Sequence, residues 1–171
     1  MSLDPALLSN LYPLDSLRSD TRAHLAADAG MLDYAAGEWL FRAGDFDEDM
    51  VYLLAGAITG HYPDGREKRI EAGSLQGRYP LGEAQPRRFS AVVGSAGAEV
   101  VRLDRRGTEK LLAWDQLCRH RIEQADSAED NAWVFRLLGN RAFRKLPCGN
   151  IERMFAAFRE VRVPAGESVI Q

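Results

Sequence analysis

The sequence predicts an α+β domain that is mainly β, with one helix before a compact set of strands and further helices after it. Three observations support this fold class. A helical pattern lies near the N-terminus, and short apolar runs then alternate with turn residues at a spacing of roughly 8–12 residues. Residues 104–146 carry helical patterning, with no proline and two glycines. Short strands at such a spacing are typical of a sandwich, jelly roll or barrel.

The first predicted element is a helix that Asp15 or Ser16 caps and that ends near Asp28. Its apolar face consists of Leu17, Thr21, Leu25 and Ala29. Seven strands follow, at residues 31–35, 38–43, 51–54, 57–62, 68–70, 89–93 and 99–103. Pro63-Asp64-Gly65 lies between two of these runs and predicts a hairpin turn.

Two helices are predicted after the strands. Asp104 is placed to cap a helix over residues 105–117, and Ser127 with Asp130 resembles a capping box for a helix that ends near Ala142. The order of elements is therefore one helix, many strands and then helices.

A repeat divides the chain into units. Ala36-Gly37-Glu38 recurs 129 positions later as Ala165-Gly166-Glu167, and apolar residues before and after these tripeptides agree at the same offset. Agreement of helical spacing, strand alternation and a turn at one offset indicates a duplicated structural unit. We expect a first domain at residues 1–125, a helical connector at 126–145 and the incomplete start of a second copy at 146–171.

Composition and charge argue against several classes of protein. The net charge of −3, from 22 basic and 25 acidic residues, is unlike that of a dedicated nucleic-acid binder. No apolar run approaches the roughly 20 residues of a membrane span, and no signal-peptide pattern is present, so we expect a cytoplasmic protein without a membrane segment. No pattern of nucleophile, base or metal ligands is recognisable, and we expect neither an enzyme nor a metal site.

Residues 77–90 carry the clearest chemical signal in the chain. A small-residue turn leads into a polar stretch, and Pro86 and Arg87 then open an apolar run. Backbone N–H groups, a helix N-terminus and an arginine fork are the groups with which proteins hold a phosphate. The pattern predicts an anion site centred on Arg87, to which Arg78 and Arg88 add positive charge.

The order of elements is similar to that of the cyclic nucleotide-binding domain, a fold shared by catabolite-activator-type regulators, kinase regulatory subunits and gated channels. Gly37–Asp45 resembles the entry strands of this family, and Val51–Gly56 resembles the strand that leads to its first turn. The resemblance covers residues 15–125 and begins again at residue 146. It implies a jelly-roll-like β-roll of eight strands with an N-terminal helix and trailing helices.

The resemblance also implies roles for the segment 77–90. In the family, the ligand cassette runs from a Gly-Glu pair to an Arg-Ala-Ala-Thr-like sequence. The glutamate accepts a hydrogen bond from the ribose 2′-hydroxyl, and the arginine clasps the cyclic phosphate. Gly77 and the Pro86-Arg87 pair match the two ends of this cassette without a gap, and Arg78 stands where the glutamate would be. The candidate ligand-binding residues are Gly77, Arg78, Leu81, Pro86, Arg87, Arg88 and Ser90.

Arg78 shapes the functional prediction. A guanidinium donates only and cannot accept a hydrogen bond from the ribose hydroxyl, and losing such a bond to a charged group costs about 1.5–3 kcal/mol. We predict a regulatory module with a degenerate cassette, which binds cyclic nucleotide weakly or not at all and serves interdomain or dimer contacts. The alternative is a sensor that binds cyclic AMP, cyclic GMP or another phosphate-containing ligand through Arg87.

Two expectations concern partners. In catabolite-activator relatives a winged helix-turn-helix follows the roll, whereas here a second copy begins, so we expect no DNA-binding element. The apolar face of residues 150–158 needs a covering surface, which predicts a homodimer formed through the C-terminal helices.

Overall fold

Five strands and three helices make up most of the computed structural model, which describes residues 3–122, Asn150, Arg153, Ala157 and residues 163–166. The helices are α1 (Pro5–Leu8), α2 (Ser19–Asp28) and α3 (Arg105–Ile122). The strands are β1 (Gly30–Tyr34), β2 (Trp39–Phe41), β3 (Asp49–His61), β4 (Glu67–Glu71) and β5 (Ser90–Asp104). Among the described helices, none combines the length and the apolar character that crossing a membrane requires.

The strands form one antiparallel sheet in the order β1-β5-β3-β4, and β2 also pairs with β5. The central pair, β3 and β5, stays in contact from Asp49 opposite Asp104 to His61 opposite Ser90. The predicted hairpin is present, because β3 and β4 are joined through Pro63-Asp64-Gly65. The mainly β fold class, with a helix before the sheet and a helix after it, is confirmed.

The number of strands differs from the expectation of eight, since the described residues contain five. The predicted strands at 51–54 and 57–62 are one strand, β3, and those at 89–93 and 99–103 are one strand, β5. Gly56 and Gly97 lie where the two strands change register, with φ of 83° and 77°. A Cβ at Gly56 would clash with the carbonyl of Gly97. Two glycines therefore let both strands pass a tight irregularity without ending.

The first long helix begins later than the sequence predicts. Ser16 belongs to a 3-10 turn, and its hydroxyl donates to the carbonyl of Pro13 at 2.7 Å. Leu17 is extended, so α2 starts at Ser19, and the prediction that Asp15 or Ser16 caps it is wrong. The end of the helix is where the sequence predicts it.

Helix α3 begins as predicted and extends further. The carboxylate of Asp104 accepts a hydrogen bond from the backbone N–H of Gly107 at 2.6 Å, which confirms the predicted cap. The helix continues to Ile122 rather than ending near residue 117. The connector at 126–145 and its predicted second helix lie outside the described residues.

Two apolar clusters cover the two faces of the sheet, because side chains alternate along each strand. Val51 and Leu53 belong to one cluster, which we call the inner cluster and which also contains Leu81 and Phe89. Met50 and Tyr52 belong to the other, the outer cluster, which joins the sheet to the N-terminal helices and α3. The segment 77–90 thus closes the inner side of the sheet and the helices close the outer side.

Candidate ligand site

The cassette, residues 77–90, is built from turns, and no helix forms within it. The helix N-terminus expected there is therefore missing from the anion site. At Gly77 a Cβ would clash with the carbonyl oxygen of Glu71, so the tight turn requires glycine. Leu81 is buried, and its N–H donates to the carbonyl of Val51 at 2.7 Å. The two residues anchor the start of the cassette to the sheet.

Arg87 is fully buried, with 0% of its side chain exposed, and all five of its N–H donors are used. Nε and Nη2 donate to the two carboxylate oxygens of Asp47 at 3.0 and 2.6 Å. Nη1 donates to the carbonyls of Leu81 and Gly82, both at 2.7 Å, and Nη2 also donates to the carbonyl of Asp49 at 3.1 Å. A guanidinium has five donors, so none is left for a phosphate.

The backbone polarity around Arg87 is opposite to that of an anion site. A phosphate cradle directs N–H groups at the ligand. Here the carbonyl oxygens of Leu81 and Gly82 point at the guanidinium from within the cassette. These oxygens would repel an anion that approached along the same direction.

Asp47 is the anion that Arg87 binds. It lies in the acidic segment 45–49, which follows β2 and ends at the first residue of β3, and its side chain is 28% exposed. Burial opposes ionisation of this carboxyl, but hydrogen bonds from Arg87 and the backbone of Asp49, together with the charges of Arg87 and Arg102, lower the pKa of Asp47. The carboxylate is thus held in its charged form beside Arg87.

Phe89 packs on Phe41, the ring that lies beside the guanidinium of Arg87. The family resemblance aligns it with the second alanine of the Arg-Ala-Ala-Thr-like sequence. Its buried ring lies 5.4 Å from the ring centroid of Phe41 and 5.0 Å from that of Tyr62. The guanidinium of Arg87 lies 4.5 Å from the centroid of Phe41. Aromatic rings therefore occupy volume that an alanine would leave open.

Arg78 contacts a different part of the molecule from Arg87. Its Nε donates to the carbonyl of Asn10 at 3.0 Å, and its Nη2 lies 3.4 Å from the carboxylate of Asp15. It also lines a cavity of about 340 Å³ between the N-terminal helical region and the cassette, together with Leu7. The structure does not bring the two arginines together around one anion.

The other candidate residues have separate positions. Pro86 and Arg88 are exposed. The hydroxyl of Ser90 accepts a hydrogen bond from the N–H of Ala43 at 2.9 Å, at the beginning of β5. Ser90 therefore satisfies a backbone donor near the end of β2.

Sequence reasoning missed two residues of the site, Asp47 and Phe89. Asp47 lies in a mostly acidic segment, residues 45–49, and nothing local distinguishes it from its acidic neighbours. Phe89 was interpreted only as the start of an apolar strand. The signal for Phe89 was available, because a large ring replaces a small residue in the motif.

Residues 31–115 match the family described as the cyclic nucleotide-binding domain, and the chain belongs to this family. The matched range begins in β1 and ends in α3, so it includes the whole sheet and the cassette. Domains of this family are regulatory rather than catalytic. A comparison with curated proteins gives no match.

Three solved structures illustrate the similarity of this chain to known proteins. A cyclic nucleotide-binding-like protein from Brucella abortus bv. 1 str. 9-941 is 26% identical, with a TM-score of 0.50 over 64% of this chain and 97% of that chain. The regulatory domain of Toxoplasma gondii PKA, crystallised with cAMP, is 17% identical, with a TM-score of 0.52 over 71% of this chain and 49% of that chain.

A third structure is the regulatory subunit of a cAMP-independent protein kinase A from Trypanosoma brucei. It is 20% identical, with a TM-score of 0.51 over 70% of this chain and 46% of that chain. The chain thus spans about half the length of the two kinase regulatory chains it matches.

Proposed function

We propose that this domain is a regulatory module with a degenerate cassette, which binds cyclic nucleotide weakly or not at all and serves interdomain or dimer contacts. The observation that carries the proposal is the saturation of Arg87 by Asp47 and three backbone carbonyls. A cyclic phosphate would have to displace the Asp47 carboxylate, so it would exchange one anion for another. Such an exchange yields little net affinity.

Two further features also lower the expected affinity for cyclic nucleotide. Arg78 offers no acceptor to a ribose hydroxyl, which removes about one to two decades of affinity. The ring of Phe41 lies beside the guanidinium of Arg87, and Phe89 packs on Phe41. The same fold also occurs in the regulatory subunit of a protein kinase A described as cAMP-independent, so a regulator of this fold does not require control by cAMP.

Calorimetric titration of the whole chain with cyclic AMP and with cyclic GMP tests the proposal. We expect no binding heat and no shift in melting temperature at ligand concentrations up to about 1 mM. A dissociation constant in the micromolar range would contradict it.

A chemical-rescue experiment tests the reason for the loss of binding. Asp47→Ala removes the internal anion, so added inorganic phosphate should raise the melting temperature of this variant. Asp45→Ala is the matched control, because Asp45 lies in the same loop and its carboxylate accepts from the N–H of Arg42 rather than from Arg87. An equal response of the two variants would show that Asp47 does not occupy an anion position.

The second candidate function is a sensor that binds a cyclic nucleotide or another phosphate-containing ligand through Arg87. The turn at Gly77 still leaves no room for a Cβ, and Arg87 is still in place. The side chain of Asp47 is 28% exposed, so solvent reaches one side of the ion pair. This candidate predicts micromolar binding by the wild-type chain and a loss of at least about a hundredfold in Arg87→Lys, because lysine lacks the bidentate fork.

We also propose that residues 146–171 begin a second copy of the domain. Three described residues near the C-terminus are helical, at positions that lie 129 residues after members of α2: Asn150, Arg153 and Ala157. Gly166 has φ of 95° in a turn, and Gly37, at the same offset, has φ of 81° in a turn. These agreements support the duplication inferred from the sequence.

The homodimer remains part of the proposal. Its support is the apolar sequence Met154-Phe155 and Phe158, because a cluster of large apolar residues calls for a covering surface. Sedimentation equilibrium should give twice the mass of the chain at about 100 μM, a concentration well above the dissociation constant of an ordinary specific dimer. A monomer under these conditions would contradict the proposal.

A further inference from the structure

Residues 10–15, which we call the strap, connect the α1 region to the α2 region and contact the cassette. The Nε of Arg78 donates to the carbonyl of Asn10 at 3.0 Å, and its Nη2 lies 3.4 Å from the carboxylate of Asp15. The backbone N–H of Tyr12 donates to the carbonyl of Arg78 at 2.8 Å. Arg78 therefore holds the strap through both its side chain and its backbone.

Aromatic contacts extend this attachment. The rings of Tyr12 and Tyr79 have centroids 5.0 Å apart and are tilted by 43°, which is a favourable arrangement for an aromatic pair. The carbonyl of Tyr12 accepts a hydrogen bond at 3.1 Å from the hydroxyl of Tyr52, a buried residue of β3. The strap is thus fixed to the cassette and to the sheet at the same residue.

The residue type at position 78 decides whether the side-chain part of this attachment is possible. A glutamate, which the family resemblance places here, has no donor for the carbonyl of Asn10 and would face Asp15 with a like charge. Arginine supplies the donor and the opposite charge. The replacement that removes an acceptor for a ribose therefore creates the side-chain contacts to Asn10 and Asp15.

We propose that Arg78 and Tyr79 are positioning residues that fix the strap to the cassette, so that the N-terminal helices keep one position on the sheet without any ligand. The cassette is then an interaction surface whose partner is residues 10–15 of the same chain. This inference goes beyond the proposed function and does not depend on it, because Arg78 and Arg87 have different hydrogen-bond partners.

Amide hydrogen exchange at Tyr12 in the whole chain tests the proposal. Arg88→Glu is a matched control, because Arg88 is exposed and lies in the same segment. We expect exchange at Tyr12 to be about tenfold faster in Arg78→Glu than in Arg88→Glu, and close to wild type in Arg78→Lys, which keeps a donor and the charge. Adding Asp15→Lys to Arg78→Glu reverses the ion pair and should restore part of the protection.

Equal exchange at Tyr12 in Arg78→Glu and Arg88→Glu would overturn the proposal. If circular dichroism shows that Arg78→Glu is unfolded, Arg78→Gln replaces it in the same comparison. We then expect exchange at Tyr12 to be faster in Arg78→Gln than in Arg88→Glu. Binding of cyclic nucleotide by the wild-type chain would contradict the proposed function and leave this comparison unchanged. The two ideas therefore fail in different measurements.

Discussion

Arg87 and Asp47 form a two-point ion pair, in which Nε and Nη2 of the arginine donate to the two carboxylate oxygens at 3.0 and 2.6 Å. The same fork would hold a phosphate in a ligand site. Here it ties the loop between β2 and β3 to the cassette, and backbone carbonyls take the remaining donors. Arg87, a residue of the ligand motif, therefore has a structural role in this protein.

Removing Arg87 should therefore destabilise the protein. Arg87→Ala removes the guanidinium that pairs with the carboxylate of Asp47 and donates to three carbonyls, so we expect the free energy of unfolding to fall by about 3 kcal/mol. Urea unfolding measures this change. Arg88→Ala is the control and should stay within about 0.5 kcal/mol of wild type, because Arg88 is exposed. A change of that small size in Arg87→Ala would mean that the arginine is not structural.

Stability should also depend on Asp47 at acid pH. Burial opposes its ionisation, but the hydrogen bond from Arg87 and the other favourable contacts lower its pKa in the folded chain. A carboxyl of this kind stabilises the fold above its unfolded pKa of about 3.9, and this contribution is lost as the pH falls through the folded pKa. Unfolding free energy should therefore fall below about pH 4, and less steeply in Asp47→Asn.

Urea unfolding between about pH 3 and 6 checks this dependence. Asp33→Asn, at an exposed position of β1, is the control and should follow the wild-type curve. If the unfolding free energies of Asp47→Asn and wild type differ by the same amount at every pH, this carboxyl has no role in the pH dependence of stability.

Asp115 should be the residue that fixes α2 to α3. The residue is 1% exposed, and its carboxylate accepts hydrogen bonds from the backbone N–H of Arg18 at 3.1 Å and from the hydroxyl of Thr21 at 2.9 Å. Asp115→Ala leaves these donors unsatisfied, and we expect a loss of about 3 kcal/mol in urea unfolding. The exposed Asp33→Ala should change stability by less than about 0.5 kcal/mol. Similar losses in the two variants would contradict this role.

Alanine substitutions at Gly56 and Gly65 distinguish the stability cost of a steric clash from that of backbone strain alone. Both have positive φ, of 83° and 82°, but a Cβ at Gly65 meets nothing within 4 Å, whereas one at Gly56 clashes with the carbonyl of Gly97. We expect Gly65→Ala to cost about 1 kcal/mol and Gly56→Ala about 3 kcal/mol or more. Equal melting temperatures of the two variants would show that β3 and β5 can separate at Gly97 without cost.

Much of the fold was predictable, because turns and alternation are local signals. Pro63-Asp64-Gly65 predicts the β3–β4 hairpin, and Asp104 predicts the start of α3. The start of α2 was not predictable, since the acceptor for the N–H of Arg18 is Asp115, which lies 97 positions away. The continuity of β3 through Gly56 also depends on β5, so the sequence predicts two strands, at 51–54 and 57–62, where the structure has one.

The candidate site, like the fold, is predictable from the sequence only in part. The motif from Gly77 to Arg87 is readable in the sequence, and its unusual Arg78 is visible there. The partner of Arg87 is not readable, because Asp47 lies 40 positions earlier in a loop of several acidic residues. Only the packing of that loop against the cassette selects one carboxylate. Sequence therefore identifies the ligand motif but not the contacts that occupy it.

The side-chain Nε–H signal of Arg87 in an NMR titration tests the central claim most directly. The signal can be assigned by its disappearance in Arg87→Lys, in which no Nε–H remains at this position. Because Arg87 is already fully paired, we predict that its signal stays unchanged as cyclic AMP or cyclic GMP is added to about 1 mM. A saturable shift of this signal would show that the nucleotide displaces Asp47, and the claim that Arg87 is internally occupied would then be wrong.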